Sequence, residues 1–311
     1  MEKLPVLEVR GLRKSFQDFE AVKGVDFTVY QGDIFGFLGP NGAGKSTTLR
    51  MVTSLINPSS GDIRIFGLPL STNREHILSR MGILVEKPDL YGFLSGYENL
   101  GMLSSLNGKR ASRQRIDEVI HMVGLQGREQ DKVRKYSQGM RQRLGIAQAL
   151  IHDPEIIILD EPFSGFDPIN AEMLKQEILG MKERGATIIF STHRMESVEE
   201  LCSHIALINR SKKILDGDVH DIRRKFKSGK YEIEYSGHGI GLANSLWGGF
   251  ELISNEPHTG HMKATVSIPD GMKTNDLLAG MIQNVEIVSF REVIPGMNDI
   301  FISLVNESNQ E

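Results

Sequence analysis

Residues 33–46 read DIFGFLGPNGAGKS. The first six alternate as a strand does, and the last eight have the form G-x-x-x-x-G-K-[ST]. A strand that runs through glycines into a helix brings several backbone N–H groups around one small volume. Phosphate oxygens can approach them only where no Cβ intrudes, which is the reason for the glycines of this loop. The helix beginning near Ser46 points the positive end of its dipole at the same place. Lys45 adds a mobile positive charge for the β- and γ-phosphates, and the Ser46 hydroxyl can ligate Mg²⁺. Residues Gly39, Pro40, Asn41, Gly42, Ala43, Gly44, Lys45, Ser46 and Thr47 are the expected phosphate site. The alternative, a glycine-rich turn that binds nothing, leaves the fixed residues unexplained. This stretch alone specifies a P-loop nucleotide-binding protein and does not choose among kinases, GTPases, motors and transporters.

Working outward, Ile156 to Asp160 (IIILD) reads as a strand buried on both faces and ending in a carboxylate. Open parallel sheets bind ligands at the carboxyl ends of their strands, so Asp160 is expected beside the phosphate loop, acting on Mg²⁺ directly or through water. Glu161 comes next and points elsewhere, placed to polarise a water attacking the γ-phosphate. A helix-capping acidic pair before Pro162 is the bland alternative.

With 311 residues the chain is long enough for two domains, and a net charge of −4 gives no field that advertises nucleic acid. The single cysteine, Cys202, rules out an internal disulfide, fits a reducing compartment and sits in an apolar stretch suited to packing. The N-terminus, MEKLPVLEVRGL, lacks the apolar core of a signal peptide. No segment approaches the ~20 apolar residues that span a bilayer. Any membrane-spanning part is therefore expected in another chain.

The composition changes near residue 229. Before it, short apolar strands alternate with helical patterns, an α/β domain over residues 1–229. The stretch Asp221 to Lys230 (DIRRKFKSGK) is basic and reads as a solvated helix face rather than a lipid or RNA contact. Residues 230–311 then read as a small α+β domain. Strands are expected at 231–236, 250–254, 262–268 and 285–294, helices at 272–283 and 297–305, and a polar turn at Pro257 to Gly260. This tail carries four Lys/Arg against eleven Asp/Glu, so it is unsuited to gripping a phosphate backbone.

Between the two candidate sites lies Tyr136-Ser137-Gln138-Gly139-Met140-Arg141-Gln142-Arg143. Here the chain resembles the ATP-binding-cassette family, whose signature is usually LSGGQ followed by x and Gln or Arg. The resemblance covers residues from about 6 to 220, with the motifs in the family's order and spacing. It implies a P-loop ATPase fold with a helical subdomain over about 86–145, and it implies ATP with Mg²⁺. Phe16 stands where the family stacks an aromatic on adenine. Ser137, Gln138 and Gly139 open an amphipathic helix (Met140 to Leu150), an anion site that in the family faces the γ-phosphate held by a second subunit. Ser164-Gly165-Phe166-Asp167 is similar to the dimer-contact loop, and His193 to the switch histidine that orients Glu161. The implied assembly sandwiches two ATP molecules between two cassettes, in a homodimer or a heterodimer. Without the family context, Phe16 and His193 would read as structural residues.

Two departures stand out. The glutamine that in the family touches Mg²⁺ and the attacking water is replaced by Glu86, which could still ligate the metal but adds negative charge beside triphosphate. In the signature, Gln138 replaces a glycine and Met140 a glutamine. Activity is expected to be retained, with altered coupling or rate.

Within the family, LVEKPDLYGFLSGYENL (84–100) and STHRMESVEELCSHIALINRSKKILDGD (191–218) resemble transporters of the sodium-efflux and bacitracin-resistance type, with MNDIFISLV as the ending of their accessory tail. The resemblance implies an exporter whose motor is a cytoplasmic chain, peripheral on the inner face of the cell membrane, acting on separate transmembrane permease subunits. Tyr91, Phe93, Leu94 and Tyr97 are the expected surface contacts to that partner, with local packing as the alternative. A soluble cassette ATPase acting on DNA, the ribosome or another macromolecule is the rival reading; coiled-coil insertions or a second cassette would favour it, and neither appears. A non-hydrolysing ATP switch is the other rival, and Glu161 with His193 argues against it.

Overall fold

The computed structural model of the chain describes residues 4–106, 110–237, 242, 246, 249–258, 260–269 and 271–310. Two compact units emerge: residues up to Val219 together with those from Leu304 onward, and His220–Ser303.

The first unit opens with a long antiparallel hairpin, β1 (Pro5–Phe16) and β2 (Phe19–Tyr30). Along β2, buried Val25, Phe27 and Val29 alternate with Asp26 and Thr28, the period of a strand with one covered face. Then come β3 (Ile34–Leu38), buried at every position, and α1 (Lys45–Val52). β4 (Ser60–Ile65) and β5 (Leu68–Pro69) complete a four-stranded sheet ordered β2-β1-β4-β5. After α2 (Arg74–Leu78) and β6 (Met81–Leu84), the chain leaves the sheet to form α3 (Gly96–Leu106), α4 (Arg113–Met122) and α5 (Gln138–Leu150). It returns through β7 (Ile156–Asp160), α6 (Pro168–Glu183), β8 (Thr187–Thr192), α7 (Met195–Leu201), β9 (His204–Asn209) and β10 (Lys212–Asp218).

The six-stranded sheet runs β10-β9-β3-β8-β7-β6 and is parallel except for β10. Its strands are near-continuous runs of Ile, Leu and Phe because both faces are covered. Phe27 of the antiparallel sheet stacks on Phe35 at 5.5 Å between centroids and meets Phe37 at 5.2 Å, which joins the two sheets in one core. This order has a consequence for function. The carboxyl ends of β3, β8, β7 and β6 stand side by side, with Leu38 beside Thr192, Ser191 beside Asp160 and Leu159 beside Leu84.

The second unit begins at α8 (Val219–Lys225) and holds an antiparallel sheet ordered β12-β13-β11-β14, from β11 (Lys230–Ser236), β12 (Glu251–His258), β13 (His261–Ser267) and β14 (Glu286–Glu292). Helix α9 (Thr274–Ile282) and the first part of α10 (Met297–Gln310), as far as Ser303, complete it; the rest of α10 belongs to the first unit. Ile233, Tyr235, Ala264, Val266, Leu277 and Met281 form its core, and the buried Tyr235 hydroxyl donates to Asn255 at 3.0 Å.

Several expectations shift by known causes. Packing divides the chain after Val219, not near 229, because the basic stretch belongs with the second unit: Arg223 donates to the Pro295 carbonyl at 3.1 Å and Lys227 pairs with Glu292. The last helix runs to Gln310 rather than 305, and Asn209 donates to its Ser308 hydroxyl at 3.2 Å. Pro257 lies inside β12 instead of opening a turn; β12 is an edge strand, where a missing N–H costs no ladder bond. Part of the expected turn, residue 259, falls outside the described residues. Among the described residues, no helix is long and apolar enough to cross a membrane.

Candidate functional site

The loop between β3 and α1 needs its glycines. Gly39, Gly42 and Gly44 have φ of 150°, 78° and 108°, values that side-chain-bearing residues rarely adopt. A Cβ on Gly39 would lie 2.2 Å from the Ile208 carbonyl oxygen, and one on Gly44 would lie 2.6 Å from that of Ala21. The loop is thus pressed against β9 on one side and β2 on the other. Gly44 caps α1 without a side-chain acceptor, so the amides of the first turn point into the loop. Lys45 is only 6% exposed, and its Nζ donates to the carbonyls of Gly39 at 2.7 Å and Pro40 at 3.2 Å. Burial pushes its ammonium below the ordinary lysine range, against the opposing pull of Glu161 and Asp160.

Next to this loop, β8 and β7 deliver the acidic groups. The Ser191 hydroxyl donates to Asp160 Oδ1 and accepts from the Glu161 N–H at 3.1 Å. Glu161 also donates its N–H to the Ser191 carbonyl at 3.2 Å and takes φ of +48°. That left-handed turn, unusual for glutamate, swings its carboxylate away from Asp160. Glu161 Oε1 lies 2.9 Å from His193 Nδ1 and 4.0 Å from Lys45 Nζ. Lys45, Asp160, Glu161 and His193 therefore converge. Ser191, buried at the end of β8, is the residue that reading the sequence missed; its signal was a hydroxyl closing an apolar strand just before Thr192 and His193.

The other expected residues lie around this centre. Phe16 is 47% exposed where β1 turns into β2, with Lys14 Nζ 5.0 Å from its ring centroid, and Ala21 of the same hairpin backs the phosphate loop. Ser137 caps α5 by accepting from the Met140 N–H at 3.2 Å, so the helix starts at Gln138, two residues earlier than expected. A Cβ on Gly139 would sit 2.8 Å from the Gly165 carbonyl oxygen, so the signature touches the 164–167 loop directly. Asp167 caps α6 by accepting from the Asn170 N–H at 3.0 Å, a bond that holds its carboxyl below the usual range. Asn170 in turn accepts from Arg143 of α5 at 2.9 Å, a link between the signature helix and α6 that the sequence did not announce. Glu86 is paired with Arg50 at 2.9 Å. Tyr91 and Phe93 are exposed, 40% and 68%, and meet edge to face, whereas Leu94 and Tyr97 are half-buried because their backbones bond to Val133 and Glu129. Cys202 is buried, and burial pushes its thiol far up, which makes it inert.

Hard oxygen donors at the carboxyl edge of a parallel sheet, beside a glycine-rich loop and a buried lysine, suit a triphosphate and a small divalent cation. Among the described residues no group of three or more His, Cys, Asp or Glu could hold a metal by itself.

Comparison with known proteins agrees. Residues 22–164 match the family model described as ABC transporter, and residues 217–305 match that of the ATP-binding protein DrrA1-3-like, C-terminal domain. The chain is 33% identical over 311 residues to the uncharacterized ABC transporter ATP-binding protein YhcH of Bacillus subtilis (strain 168), covering 98% of both chains. It is 43% identical over 208 residues to the bacitracin transport ATP-binding protein BcrA of Bacillus licheniformis, covering 67% of this chain and 68% of that protein. The solved structure of an ATP binding subunit of an ABC transporter superposes with a TM-score of 0.65 at 30% identity, covering 71% of this chain and 93% of that one. On its phosphate loop, its sheet order and a relative matched from end to end, the chain belongs to the ABC transporter ATP-binding proteins, and is an ATPase subunit of such a transporter.

Proposed function

We propose that this chain is the motor of an exporter, hydrolysing ATP on the inner face of the cell membrane and driving separate transmembrane permease subunits. The observation that carries the chemistry is the convergence of Lys45, Asp160, Glu161 and His193 at adjoining strand ends. In this reading the backbone N–H groups of the 39–47 loop, to which Pro40 contributes none, and the Lys45 ammonium hold the β- and γ-phosphates, and Phe16 stacks on the adenine. Glu161 accepts the proton of the attacking water, oriented by His193. Ser46 and Asp160 are the residues that would hold Mg²⁺, with Glu86 as a further oxygen donor; the ion would neutralise charge on the phosphates.

Ser137, Gln138, Gly139 and Asp167 are proposed to complete the site of a second cassette, which is a copy of this chain or a close relative. The ATP-binding domain then ends near Val219, where packing divides the chain, and an accessory domain follows it. Tyr91 and Phe93 form the proposed contact to the permease, and export is favoured by the resemblance to the bacitracin-resistance type. Gly139 lies against Gly165 within the chain, which gives an expectation. Gly139→Ala pushes the 164–167 loop, so turnover should fall by about 10²-fold, the cost of a misplacement near 1 Å, while ATP binding to the isolated chain stays intact. Steady-state turnover and equilibrium ATP binding, measured on the same preparation, check both halves.

Capture of the chain from detergent-solubilised native membranes, with and without ATP, tests the wider reading. A co-purifying polytopic membrane protein is the expected result. Recovery with ribosomes, with DNA or with no partner would instead favour a cassette ATPase that acts on a soluble macromolecule.

A further inference from the structure

Arg50 has no role in the site as assigned above, yet it meets Glu86, the further oxygen donor named there, with its Nε 2.9 Å from Glu86 Oε1. Their positions are not accidental to the site. Arg50 is four residues after Ser46 on α1, so the two share one face of the helix. Glu86 lies just past β6, whose Leu84 is beside Leu159 of β7, so it emerges at the same sheet edge as Asp160 and Glu161. Two carboxylates already stand at that edge, with Lys45 4.0 Å from one of them. A third carboxylate there repels a triphosphate. Arg50 Nε is buried and makes no hydrogen bond of good geometry, so the charge of Glu86 is its only close partner of this kind among the described residues.

We propose that Arg50 is a positioning residue for Glu86: it holds this carboxylate on the Ser46 face of the phosphate-loop helix and offsets its charge, which makes a glutamate at this place compatible with ATP. The proposal rests on the nucleotide reading given above.

The test uses the full chain and equilibrium binding of ATP in excess Mg²⁺, measured by calorimetry. It compares the wild type, Arg50→Met, Arg50→Lys, Glu86→Gln and the double variant Arg50→Met/Glu86→Gln, with a thermal melt for each. Arg50→Met is expected to weaken ATP about fivefold, the upper range for a partly exposed ion pair. The loss should shrink as salt is raised, since it is electrostatic. Arg50→Lys, which keeps the charge, recovers most of it. The double variant binds as Glu86→Gln does, because with no carboxylate present nothing needs offsetting. Equal weakness in Arg50→Met and in the double variant would overturn the proposal, since Arg50 would then act without Glu86. Unchanged binding in Arg50→Met would also overturn it. A lowered melting temperature that Glu86→Gln fails to rescue assigns Arg50 to the fold alone. A wild type that binds no ATP brings down the nucleotide reading itself, and this inference with it, so the two failures are distinct.

Discussion

Replacing Glu161 by glutamine should lower ATP turnover by about 10²- to 10⁴-fold, the range expected for loss of a general base. The substitution changes one oxygen to NH₂ and little else. The left-handed turn at residue 161 and its N–H bonds to Ser191 involve only the backbone of this residue, so they persist. A glutamine can still meet His193, and Lys45 still reaches the phosphates. The carboxylate able to take a proton from water is gone. ATP binding is therefore retained, and the dimer proposed above, loaded but unable to turn over, should accumulate in its closed form. Phosphate release, equilibrium ATP binding and the elution volume with ATP give three independent readings. Near-normal phosphate release would remove Glu161 from its role and would revive the alternative that Asp160 and Glu161 are merely a helix-capping acidic pair. Loss of binding along with turnover would point to a damaged loop.

The parts of this site legible in the sequence are those whose requirements are local. A loop that must bring amides to phosphate has to be glycine at fixed places, and Gly39 and Gly44 prove to be where a Cβ would strike a neighbouring carbonyl. A strand buried on both faces has to be apolar throughout, so IIILD declared both β7 and the carboxylate that ends it. Contacts made across the fold leave no such trace. Ser191 and Asp160 are 31 positions apart and meet only because β8 lies beside β7. Arg143, in the first half of α5, and Asn170, in the first turn of α6, are 27 positions apart, and Arg50 meets Glu86 because the phosphate-loop helix passes the end of β6. The same limit explains Leu94 and Tyr97, whose apolar side chains read as surface contacts until the backbone bonds to Glu129 and Val133 drew them in. It also explains the displaced unit boundary. Composition changes where the acidic tail begins, but packing is decided earlier, by the partners that Arg223 and Lys227 find.

Lys45→Met should weaken ATP by about 10²-fold or more, since each charge-assisted hydrogen bond to phosphate contributes about 1.5–3 kcal/mol and, on the role proposed above, the ammonium would make more than one. The same change should leave the fold at least as stable at neutral pH. Lys45 is 6% exposed, and the two hydrogen-bonding partners of its ammonium are backbone carbonyls of its own loop. Burial lowers its pKa from the ordinary 10.5, which means the folded chain disfavours the charged form more than the unfolded chain does. Between the lowered folded value and 10.5 the unfolded chain binds more protons, so wild-type stability gains from this group as pH rises through that window and is penalised below it. Methionine has nothing to titrate. The stability advantage of Lys45→Met is therefore largest at neutral pH and closes as pH climbs toward the unfolded value, which urea melts of the two proteins across alkaline pH can track. A variant that binds ATP as tightly as the wild type would sink the assignment of Lys45 to the phosphates. A variant far less stable at pH 7 would mean that Lys45 is held mainly by Asp160 and Glu161, as a buried ion cluster. The expected pair of results, weak binding with a firm fold, would show that the lysine is kept in a place unfavourable to it because phosphate is to arrive there.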